Sequence, residues 1–372
     1  MFGVGAALRL KILHLIPTLT GGGAERQLYY LSNGQAAQGH QVKIAFSRPG
    51  PEQGLEFAAD LHPLASRHNY DPALLLQLFR LCRSFRPDLL QSWIYQMDVL
   101  AALLSIACGI PWILREPSSE LAYPPTLKNR LRVLLARRCR AIVSNSAAGD
   151  VYWQARLPQV PRFVVRNGLP LEQLAEIPVA SQLSWDTGEP LVLSVGRLVS
   201  NRSGSKRVES ILKAVAEIRR TLPVQVAFCG EGDDLPRLQE LAGSLGLLDS
   251  VHFLGHQAQS VVWSLMKRAD LFITLSAYEG CPNALLEAMA CGCPVLVSDI
   301  PAHRAILDGE SALFVEAENE QETVTQMAAC LASPQQARLR ANRASETARG
   351  LSLSALVSNW QGVYEQVLRR GI

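Results

Sequence analysis

The sequence predicts an α/β protein built from two doubly wound, Rossmann-like domains. At 372 residues the chain is long for one domain, because single hydrophobic cores stop growing at about 250–300 residues. A short apolar strand, then a loop with glycine and a helix, occurs near the start at Lys11–Ile16 and again near the middle at Leu191–Val195. Strand, glycine loop, helix and strand in this order open a doubly wound parallel sheet.

The first predicted domain opens with the strand Lys11–Ile16 and the glycine run Gly21–Gly23, followed by a helix over Glu25–Gln38 and a strand over Val42–Phe46. Glycines let the backbone approach a ligand closely, although three glycines alone could also form a flexible turn. The run lacks the Gly-x-Gly-x-x-Gly spacing of a dinucleotide fingerprint. Later apolar runs predict four more strands, at Asp88–Trp93, Pro111–Arg115, Ala141–Asn145 and Phe163–Arg166.

The polar, proline-bearing stretch Leu169–Glu189 separates the two domains. We therefore place the first domain at residues 1–180, the second at residues 181–350, and a separate C-terminal helix at residues 351–372. That helix has an apolar stripe at helical spacing, which predicts docking on a neighbouring surface. The stripe consists of Trp360, Val363, Tyr364 and Val367.

The second domain begins with the strand Leu191–Val195, which is followed by Arg197 and, before the next helix, by Lys206. Because the carboxyl ends of parallel strands share one edge of a sheet, we expect both cations at that edge. A guanidinium fork and an ammonium charge together would neutralise a diphosphate; the alternative is two surface cations beside a loop. Two later strands repeat the pattern, Gln225–Cys229 before Gly230 and Val251–Gly255 before His256.

The stretch Tyr278–Asp299 carries the strongest functional signal. It follows a buried strand predicted at Leu271–Leu275, and it places Pro282 at the expected first residue of a helix that runs over Asn283–Ala290. The free N–H groups and the positive dipole end of such a helix favour a phosphate when the helix starts at the carboxyl edge of a strand.

Two carboxylates frame this helix start. Glu279 precedes the helix, and Glu287 lies inside it, on the same face as Asn283. A phosphate flanked by two hydroxyl-binding carboxylates is the outline of a nucleotide-sugar site. Taken singly, each glutamate is more often an ordinary surface residue, so the prediction depends on the combined context.

The segment EGCPNALLEAMACGCPVLVSD, which contains Glu-x7-Glu, resembles the signature of retaining GT-B glycosyltransferases of the family-4 type. The resemblance covers the whole second domain and the first domain through its opening glycine loop. It implies a GT-B architecture, in which two Rossmann-like domains face each other across a cleft and the C-terminal helix crosses back to the first domain. The implied activity is that of a hexosyltransferase.

The resemblance also implies roles for individual residues. Arg197 and Lys206 would stabilise the departing nucleoside diphosphate, and Glu279 would hold sugar hydroxyls; these three form the implied catalytic set. Many members have an acceptor-side histidine where this chain has Arg115 and Glu116, either of which could position an acceptor or belong to a surface pair. The implied substrate-binding residues are Gly22, Gly23, Glu116, Gly230, His256, Gly280, Cys281, Asn283, Ala284, Leu285 and Glu287.

The chain departs from the family pattern after Lys206, where Arg207 replaces a common glycine and the preceding loop is longer than usual. It contains no Asp-x-Asp pair, with which the other glycosyltransferase architecture clamps a metal-bound diphosphate. We therefore expect transfer without metal or cofactor and, as in the family, with retention of configuration. Family frequency makes UDP-linked hexose or N-acetylhexosamine the first expected donor and GDP-mannose the second. The expected acceptor is a glycan or a lipid-linked oligosaccharide in cell-surface polysaccharide synthesis.

Composition limits the partners and the compartment. The net charge of +3 gives no support for nucleic-acid binding. Eight scattered cysteines without a Cys-x2-Cys pair predict free thiols in a reducing compartment and no metal site. No run suits a secretory signal or a membrane span, so we expect a cytoplasmic protein, with peripheral attachment to the inner face of the membrane left open.

The segment Lys128–Arg140 is the one part of the sequence that indicates a membrane partner. It has six basic residues and no acid, with an apolar stripe formed by Leu127, Leu131, Leu134 and Leu135. One alternative is a basic amphipathic helix on anionic lipid. The other is a stripe that faces the core, with the arginines in solvent.

Three other functions remain possible from the sequence. A nucleotide-sugar epimerase or phosphorylase would need an acid/base pair or a Schiff-base lysine that the sequence does not reveal. A nucleotide oxidoreductase is disfavoured by the missing dinucleotide fingerprint. A non-catalytic nucleotide-sugar-binding protein is disfavoured by the full set Arg197, Lys206, Glu279 and Glu287.

Overall fold

The structure is a computed structural model that describes residues 9–20, 22–47, 50, 55–68, 71–118, 123, 125–180, 185, 187–199 and 206–369. Gly21 and most of the loop between Arg197 and Lys206 lie outside these residues. The described chain forms two compact units, one from residues 1–168 with 353–372 and the other from residues 169–352.

The division falls after Gly168, earlier than the boundary we placed after residue 180. The physical reason is packing, because Leu169 and Leu174 are buried in the same cluster as Leu191 and Leu193 of the second unit. The polar stretch that suggested a linker is thus anchored at its start by two leucines.

Each unit contains one parallel sheet, which confirms the predicted α/β class. The first sheet has the order β3-β2-β1-β4-β5-β6-β7 and the second has the order β10-β9-β8-β11-β12-β13. In both sheets the chain starts in the middle, builds outward to one edge and returns to build toward the other. The strands are β1 Lys11–Ile16, β2 Gln41–Phe46, β3 Asp60–Pro63, β4 Leu89–Trp93, β5 Trp112–Glu116, β6 Ala141–Ser144, β7 Arg162–Val164, β8 Leu191–Val195, β9 Gln225–Cys229, β10 Val251–Gly255, β11 Leu271–Thr274, β12 Val295–Ser298 and β13 Leu313–Val315.

Helices cover both faces of each sheet. In the first unit, one buried cluster joins the sheet to the first helix and the C-terminal helix, and another joins its opposite face to the four helices that follow. The helices are α1 Gly23–Ala37, α2 Pro72–Phe85, α3 Tyr95–Cys108, α4 Leu127–Ala136, α5 Ala147–Arg156, α6 Leu171–Glu176, α7 Val208–Ile218, α8 Leu235–Ser244, α9 Gln259–Arg268, α10 Asn283–Ala290, α11 Pro301–Arg304, α12 Glu320–Ala332, α13 Pro334–Arg349 and α14 Leu353–Arg369. None of the helices in the described ranges is both long and apolar enough to cross a bilayer.

The C-terminal helix α14 packs on α1 in the first unit, as the GT-B resemblance implied. A Cβ atom at Gly34 of α1 would lie 2.2 Å from Val357 Cγ2 of α14. Glycine at this position therefore allows the two helices to approach closely. The predicted stripe, with Trp360 and Tyr364 at its centre, is buried in this contact.

Most of the leucine stripe of helix α4 faces away from the core, opposite to one of the two orientations that the sequence left open. Leu127, Leu131 and Leu134 are 81%, 44% and 55% exposed, whereas Asn129 and Arg132 are buried. Leu135, the fourth leucine of the stripe, is partly buried against the core, so the core-facing alternative is wrong for three of the four leucines. The reason is that Arg132 pairs with two buried carboxylates, and this pairing fixes the side of α4 that faces the sheet.

A chain of buried polar side chains connects α14 to the first sheet. Trp93 Nε1 donates to His14 Nδ1 at 3.1 Å, so the ring proton lies on His14 Nε2, which bonds to Gln35 Oε1 at 2.9 Å. Gln35 Nε2 then donates to the Tyr364 hydroxyl at 2.6 Å, and this hydroxyl donates to Gln91 Oε1 at 2.6 Å. His14 therefore acts as a neutral structural group.

Burial lowers the pKa of His14 from 6.5 to about 4, against the opposing effect of its bond to Gln35. Between these two values the unfolded chain binds a proton that the folded chain does not, so this group's stabilisation is complete above pH 6.5 and is lost as pH falls toward 4. Through this group, wild type should lose about 2 kcal/mol of unfolding free energy between pH 7 and pH 5. We expect His14→Asn to abolish that loss. Urea unfolding of wild type and variant at both pH values measures this difference. The same change at the exposed His68 is the control, and an unaltered pH slope in His14→Asn would contradict the prediction.

Candidate active site

The candidate site of the second unit lies where the chain reverses direction in its sheet. β8 and β11 are neighbours, but β8 leads through α7 toward one edge and β11 leads through α10 toward the other. Their carboxyl ends therefore open a crevice, the usual ligand site of such sheets. The crevice is bordered by Arg197, which follows β8, and by Glu279, which follows β11.

An ion pair links the two loops, because Lys206 Nζ bonds to Glu279 Oε1. The same carboxylate oxygen accepts a bond of 2.8 Å from Ser276 Oγ, which in turn lies 3.0 Å from Thr274 Oγ1. The side chains of Lys206 and Glu279 are 22% and 18% exposed, so a ligand can reach both. Burial would raise the pKa of Glu279, but the Lys206 charge and the bonds from Lys206 and Ser276 outweigh it and hold the pKa below its ordinary value. Glu279 is therefore a fixed negative charge at neutral pH.

Backbone geometry places the lysine. Gly196 has φ +154°, and a Cβ there would lie 2.9 Å from Lys206 Cε. The aliphatic part of the Lys206 side chain therefore packs directly on the backbone of Gly196. Arg207, which stands where the family pattern has glycine, adopts a left-handed conformation with φ +49°. Glycine takes this conformation without strain, whereas arginine rarely adopts it. The Arg207 side chain is held by a bond of 2.9 Å from Nη2 to Glu318 Oε1.

Arg197 is the exposed cation of this crevice. Its guanidinium has no hydrogen-bond or ion-pair partner among the described residues, and it lies close enough to Tyr278 to oppose the rise that burial and Glu279 cause in the phenol's pKa. The Tyr278 hydroxyl is itself buried without a hydrogen-bond partner in the described part of the chain. The Arg197 guanidinium is thus available to a ligand, whereas the Tyr278 hydroxyl is enclosed beside it.

Helix α10 begins at Asn283, with Pro282 as its N-cap, one position before the place we predicted for proline. Leu286 N–H makes the first backbone bond of the helix, to Pro282 O at 3.0 Å. The N–H groups of Ala284 and Leu285 precede that bond and point along the start of the helix, where an anion is favoured. Leu285 itself is buried in the core, so its contribution to a site would come from its backbone.

Glu287 lies one turn into α10 and is only 5% exposed. Gln259 Nε2 of α9 donates to Glu287 Oε2 at 2.6 Å, which holds the carboxylate in place. Of the neighbouring predicted residues, Gly280 is buried and Cys281 packs against the core of the second unit. These predicted residues therefore lie together at the start of α10.

The remaining predicted residues of the second unit lie on the loops after β9 and β10. A Cβ on Gly230 would lie 2.0 Å from Gly196 O, so glycine here serves the close packing of two loops. His256 is exposed, and its backbone N–H bonds to Glu231 Oε1 at 3.3 Å. Neither observation assigns a ligand to these positions.

In the first unit, Gly22 is the N-cap of α1 and Gly23 is its first residue. A Cβ on Gly22 would lie 2.0 Å from Glu25 Oε2. A side chain at this position would therefore displace the Glu25 carboxylate. Glu25 is buried at 7% exposure, and sequence reasoning did not single it out.

The prediction that Glu116 lies at a substrate surface does not fit its position, because this side chain is fully buried. One of its oxygens accepts bonds from Arg132 Nη2 at 3.0 Å and Trp153 Nε1 at 2.9 Å, and the other accepts from Ser118 N–H at 2.9 Å. Its neighbour Arg115 is also buried, between the rings of Trp93 and Trp360. Both residues have structural positions, and the surface-pair alternative is wrong as well.

Sequence reasoning missed His303, which is fully buried close to the crevice. Its Nδ1 lies 2.8 Å from Ser298 O, and Ser298 Oγ bonds at 2.6 Å to the backbone oxygen of Ser276, the residue that holds Glu279. Burial lowers the pKa of His303 to about 4, so the ring is neutral. A lone histidine after the Glu-x7-Glu segment gave no signal by which to find it.

No cluster of three or more His, Cys, Asp or Glu side chains suited to a metal ion occurs among the described residues. The thiols of Cys229, Cys291 and Cys293 have pKa values raised by burial, which keeps them protonated and unreactive.

Two family models match the chain and together span most of it. The model described as Glycosyl transferases group 1 matches residues 179–349, and the model described as Glycosyltransferase Family 4 matches residues 21–173. The first therefore covers the crevice with Arg197, Lys206 and Glu279, and the second covers most of the first sheet.

Two curated relatives are similar over three quarters of the chain or more. A Campylobacter jejuni enzyme, GalNAc-alpha-(1->4)-GalNAc-alpha-(1->3)-diNAcBac-PP-undecaprenol alpha-1,4-N-acetyl-D-galactosaminyltransferase, is 28% identical over 75% of this chain and 77% of its own length. The lipopolysaccharide core biosynthesis glycosyltransferase LpsE of Rhizobium meliloti is 27% identical over 79% of this chain and 81% of its own length.

Solved structures show the same fold. Anabaena HepE in complex with UDP and glucose has a TM-score of 0.83 at 19% identity and covers 96% of this chain and 100% of its own. Sucrose-phosphate synthase from Thermosynechococcus elongatus has a TM-score of 0.85 at 20% identity and covers 97% and 100%. With both family models and these neighbours, the chain belongs to the group 1, family-4 type of glycosyltransferases and has the GT-B fold.

Proposed function

We propose that this glycosyltransferase moves a hexose or an N-acetylhexosamine from a nucleotide-diphosphate sugar to a glycan or lipid-linked acceptor, with retention of configuration and without a metal ion. The observation that carries the proposal is the crevice beside β8 and β11. There the paired Lys206 and Glu279 and the exposed Arg197 lie at one edge of the sheet with the start of α10.

The diphosphate of the donor would be held by two cationic side chains and by backbone N–H groups, without a metal ion. Arg197 offers a guanidinium fork, Lys206 an ammonium group, and the N–H groups of Ala284 and Leu285 a helix start. Lys206 already faces one anion in Glu279, and a bound phosphate would supply a second partner to the same ammonium group. Charge that builds on the departing phosphate would thus meet preorganised donors, which is the main source of catalysis in such sites.

The two carboxylates would hold hydroxyl groups on either side of the diphosphate. Glu287, fixed by Gln259, would accept from the nucleoside ribose, and Glu279 would accept from the transferred sugar. One oxygen of Glu279 is already occupied by Lys206 and Ser276, so the side chain is suited to binding rather than to attack on carbon. A glycosidase-type nucleophile would need a partner acid across the same bond.

UDP-sugar is the first proposed donor and GDP-mannose the second. Support for UDP comes from the HepE structures, which contain UDP or UDP-glucose. Support for a lipid-linked or surface-glycan acceptor comes from the names of the Campylobacter and Rhizobium relatives. For a lipid-linked acceptor we propose peripheral attachment at the cytoplasmic face of a membrane, with the basic segment Lys128–Arg140 as the contact.

A thermal-shift panel with UDP, GDP, ADP and TDP, each with and without EDTA, tests the donor site. One diphosphate should raise the melting temperature of wild type, because a ligand at 100 times its Kd stabilises the native state by about 2.7 kcal/mol. The shift should persist in EDTA and disappear in Glu287→Ala. Glu240→Ala, an exposed glutamate of α8, is the matched control and should keep the shift.

Product analysis then separates the remaining functions. A new glycoside supports transfer, whereas an isomerised free nucleotide sugar would indicate an epimerase. Failure of every nucleotide to shift wild type would contradict the donor site, and binding without turnover would indicate a nucleotide-sugar-binding protein.

A further inference from the structure

A cavity of about 370 Å³ opens at the amino edge of the first sheet. Its volume is within the usual range of small-molecule sites, about 300–1,000 Å³. The polar residues that line it precede or begin three neighbouring parallel strands, with Arg9 and Lys11 at β1, Gly39 and Gln41 at β2, and Arg86 and Asp88 at β4. The cavity therefore lies at the opposite edge of the sheet from the glycine loop that follows β1.

The charges around this cavity are mostly positive. Arg9, Lys11 and Arg86 outnumber the single carboxylate, Asp88. None of the three cations forms an ion pair or a side-chain hydrogen bond with another residue in the described ranges. Like charges around one cavity repel each other, so an anion that enters it is attracted by all three at once.

The surrounding fold holds the cations in place. A Cβ on Gly39, which has φ +85°, would lie 3.5 Å from Arg9 Nε, so the guanidinium rests beside this backbone. Arg86 is the left-handed C-cap of α2, with φ +53°. The Lys11 ammonium lies 5.9 Å from the centre of the Phe85 ring. The backbone of Gly39, the end of α2 and the Phe85 ring therefore each keep one cation beside the cavity.

Asp88 adds a second kind of contact. Its Oδ2 accepts the Lys11 backbone N–H at 2.7 Å, which fixes the carboxylate. Its Oδ1 has no hydrogen-bond partner in the part of the chain that the structure describes, and it can accept from a hydroxyl group. Because a carboxylate repels a bare phosphate, the site favours an anion that also carries hydroxyl groups.

We propose that this cavity binds a small sugar phosphate, with the phosphate on Arg9, Lys11 and Arg86 and a sugar hydroxyl on Asp88. A guanidinium binds phosphate through two parallel N–H bonds, and the ammonium adds a point charge. The site goes beyond the proposed transfer reaction. Every residue proposed to hold the donor belongs to the second unit, whereas this cavity belongs to the first. Failure of donor binding and failure of sugar-phosphate binding are therefore separate results.

Isothermal titration calorimetry of the full chain with ribose 5-phosphate tests the proposal. Wild type should bind this probe, inorganic phosphate more weakly, and ribose not at all. Arg9→Ala with Arg86→Gly should weaken binding of the probe about 100-fold, because each removed partner of a charged hydrogen bond costs about tenfold. Glycine at position 86 takes the left-handed conformation without strain, so the fold should persist.

Two controls separate this cavity from other positive surfaces. Arg80→Ala with Arg130→Ala removes two exposed arginines of α2 and α4 that do not line the cavity, and it should retain binding. Arg197→Ala removes a cation of the donor crevice and should also retain it. Binding that is lost in Arg197→Ala would place the probe in the donor crevice and overturn the proposal.

Asp88→Asn tests the hydroxyl contact. It removes the negative charge while its side-chain oxygen can still accept the Lys11 N–H, so inorganic phosphate should bind more tightly and the preference for ribose 5-phosphate should fall. The proposal is also overturned if wild type does not bind ribose 5-phosphate or binds inorganic phosphate equally well. The same conclusion follows if the double variant binds like wild type, if the Arg80 and Arg130 control loses binding equally, or if Asp88→Asn leaves the preference unchanged.

Discussion

Lys206→Ala should lower kcat about 10²- to 10³-fold, the effect of removing one preorganised donor from a site where negative charge develops. In the proposed reaction that charge builds on the departing diphosphate, toward which Lys206 and Arg197 contribute the side-chain cations. The effect on KM should be smaller than the effect on kcat, because the phosphate carries its largest charge in the transition state. Initial rates with the donor found by thermal shift measure both constants.

The fold should tolerate this change. The side chains of Lys206 and Glu279 are 22% and 18% exposed, and an ion pair of that kind contributes about 1 kcal/mol or less. A melting temperature near that of wild type would therefore assign the lost rate to chemistry. Lys213→Ala on α7 is the matched control, because Lys213 is an exposed lysine whose partners are Glu320 and Glu209. Equal rates for the two variants would remove Lys206 from the proposed mechanism.

The architecture was predictable because its signals are local. Buried parallel strands appear as short apolar runs that end in glycine or a polar residue, and β1, β8, β9 and β10 have the bounds that the runs predicted. The same holds for α10, since Asn283–Ala290 combines good helix formers with breaking residues at both ends. The segment from Glu279 to Glu287 was accessible for the same reason, whereas its contacts with Lys206 and Gln259 join residues that are 73 and 28 positions apart.

What the sequence could not predict depends on contacts between distant residues. Asp98, Glu116 and Arg132 lie on three different elements, and no periodicity indicates that they meet in the core. Their pairing overrides the leucine pattern of α4, which by itself favoured a core-facing stripe. Glu116 was mistaken for a substrate residue for the same reason, since a charged residue at the end of a strand resembles a ligand until its buried partner is known.

Arg132→Met should destabilise the first unit by about 3–5 kcal/mol, the usual cost of removing one partner from a buried ion pair. Arg132 is fully buried, bonds to two buried carboxylates, and has the rings of Tyr123 and Trp153 within 5 Å of its guanidinium, at 4.7 and 4.9 Å. Methionine fills part of the space but leaves both acids without their cation. Burial already raises the pKa of Asp98 to about 6 in spite of Arg132, so without that charge the acid should be protonated in the folded variant.

Urea unfolding of wild type and Arg132→Met measures the cost, and Arg130→Met, an exposed arginine of the same helix, is the control that should change stability by about 0.5 kcal/mol or less. Adding Asp98→Asn and Glu116→Gln to Arg132→Met should recover part of the loss, because the triple variant no longer buries uncompensated carboxylates. If Arg132→Met costs no more than the Arg130 control, the ion pairs do not hold α4 in place. The outward position of Leu127, Leu131 and Leu134 would then need another cause.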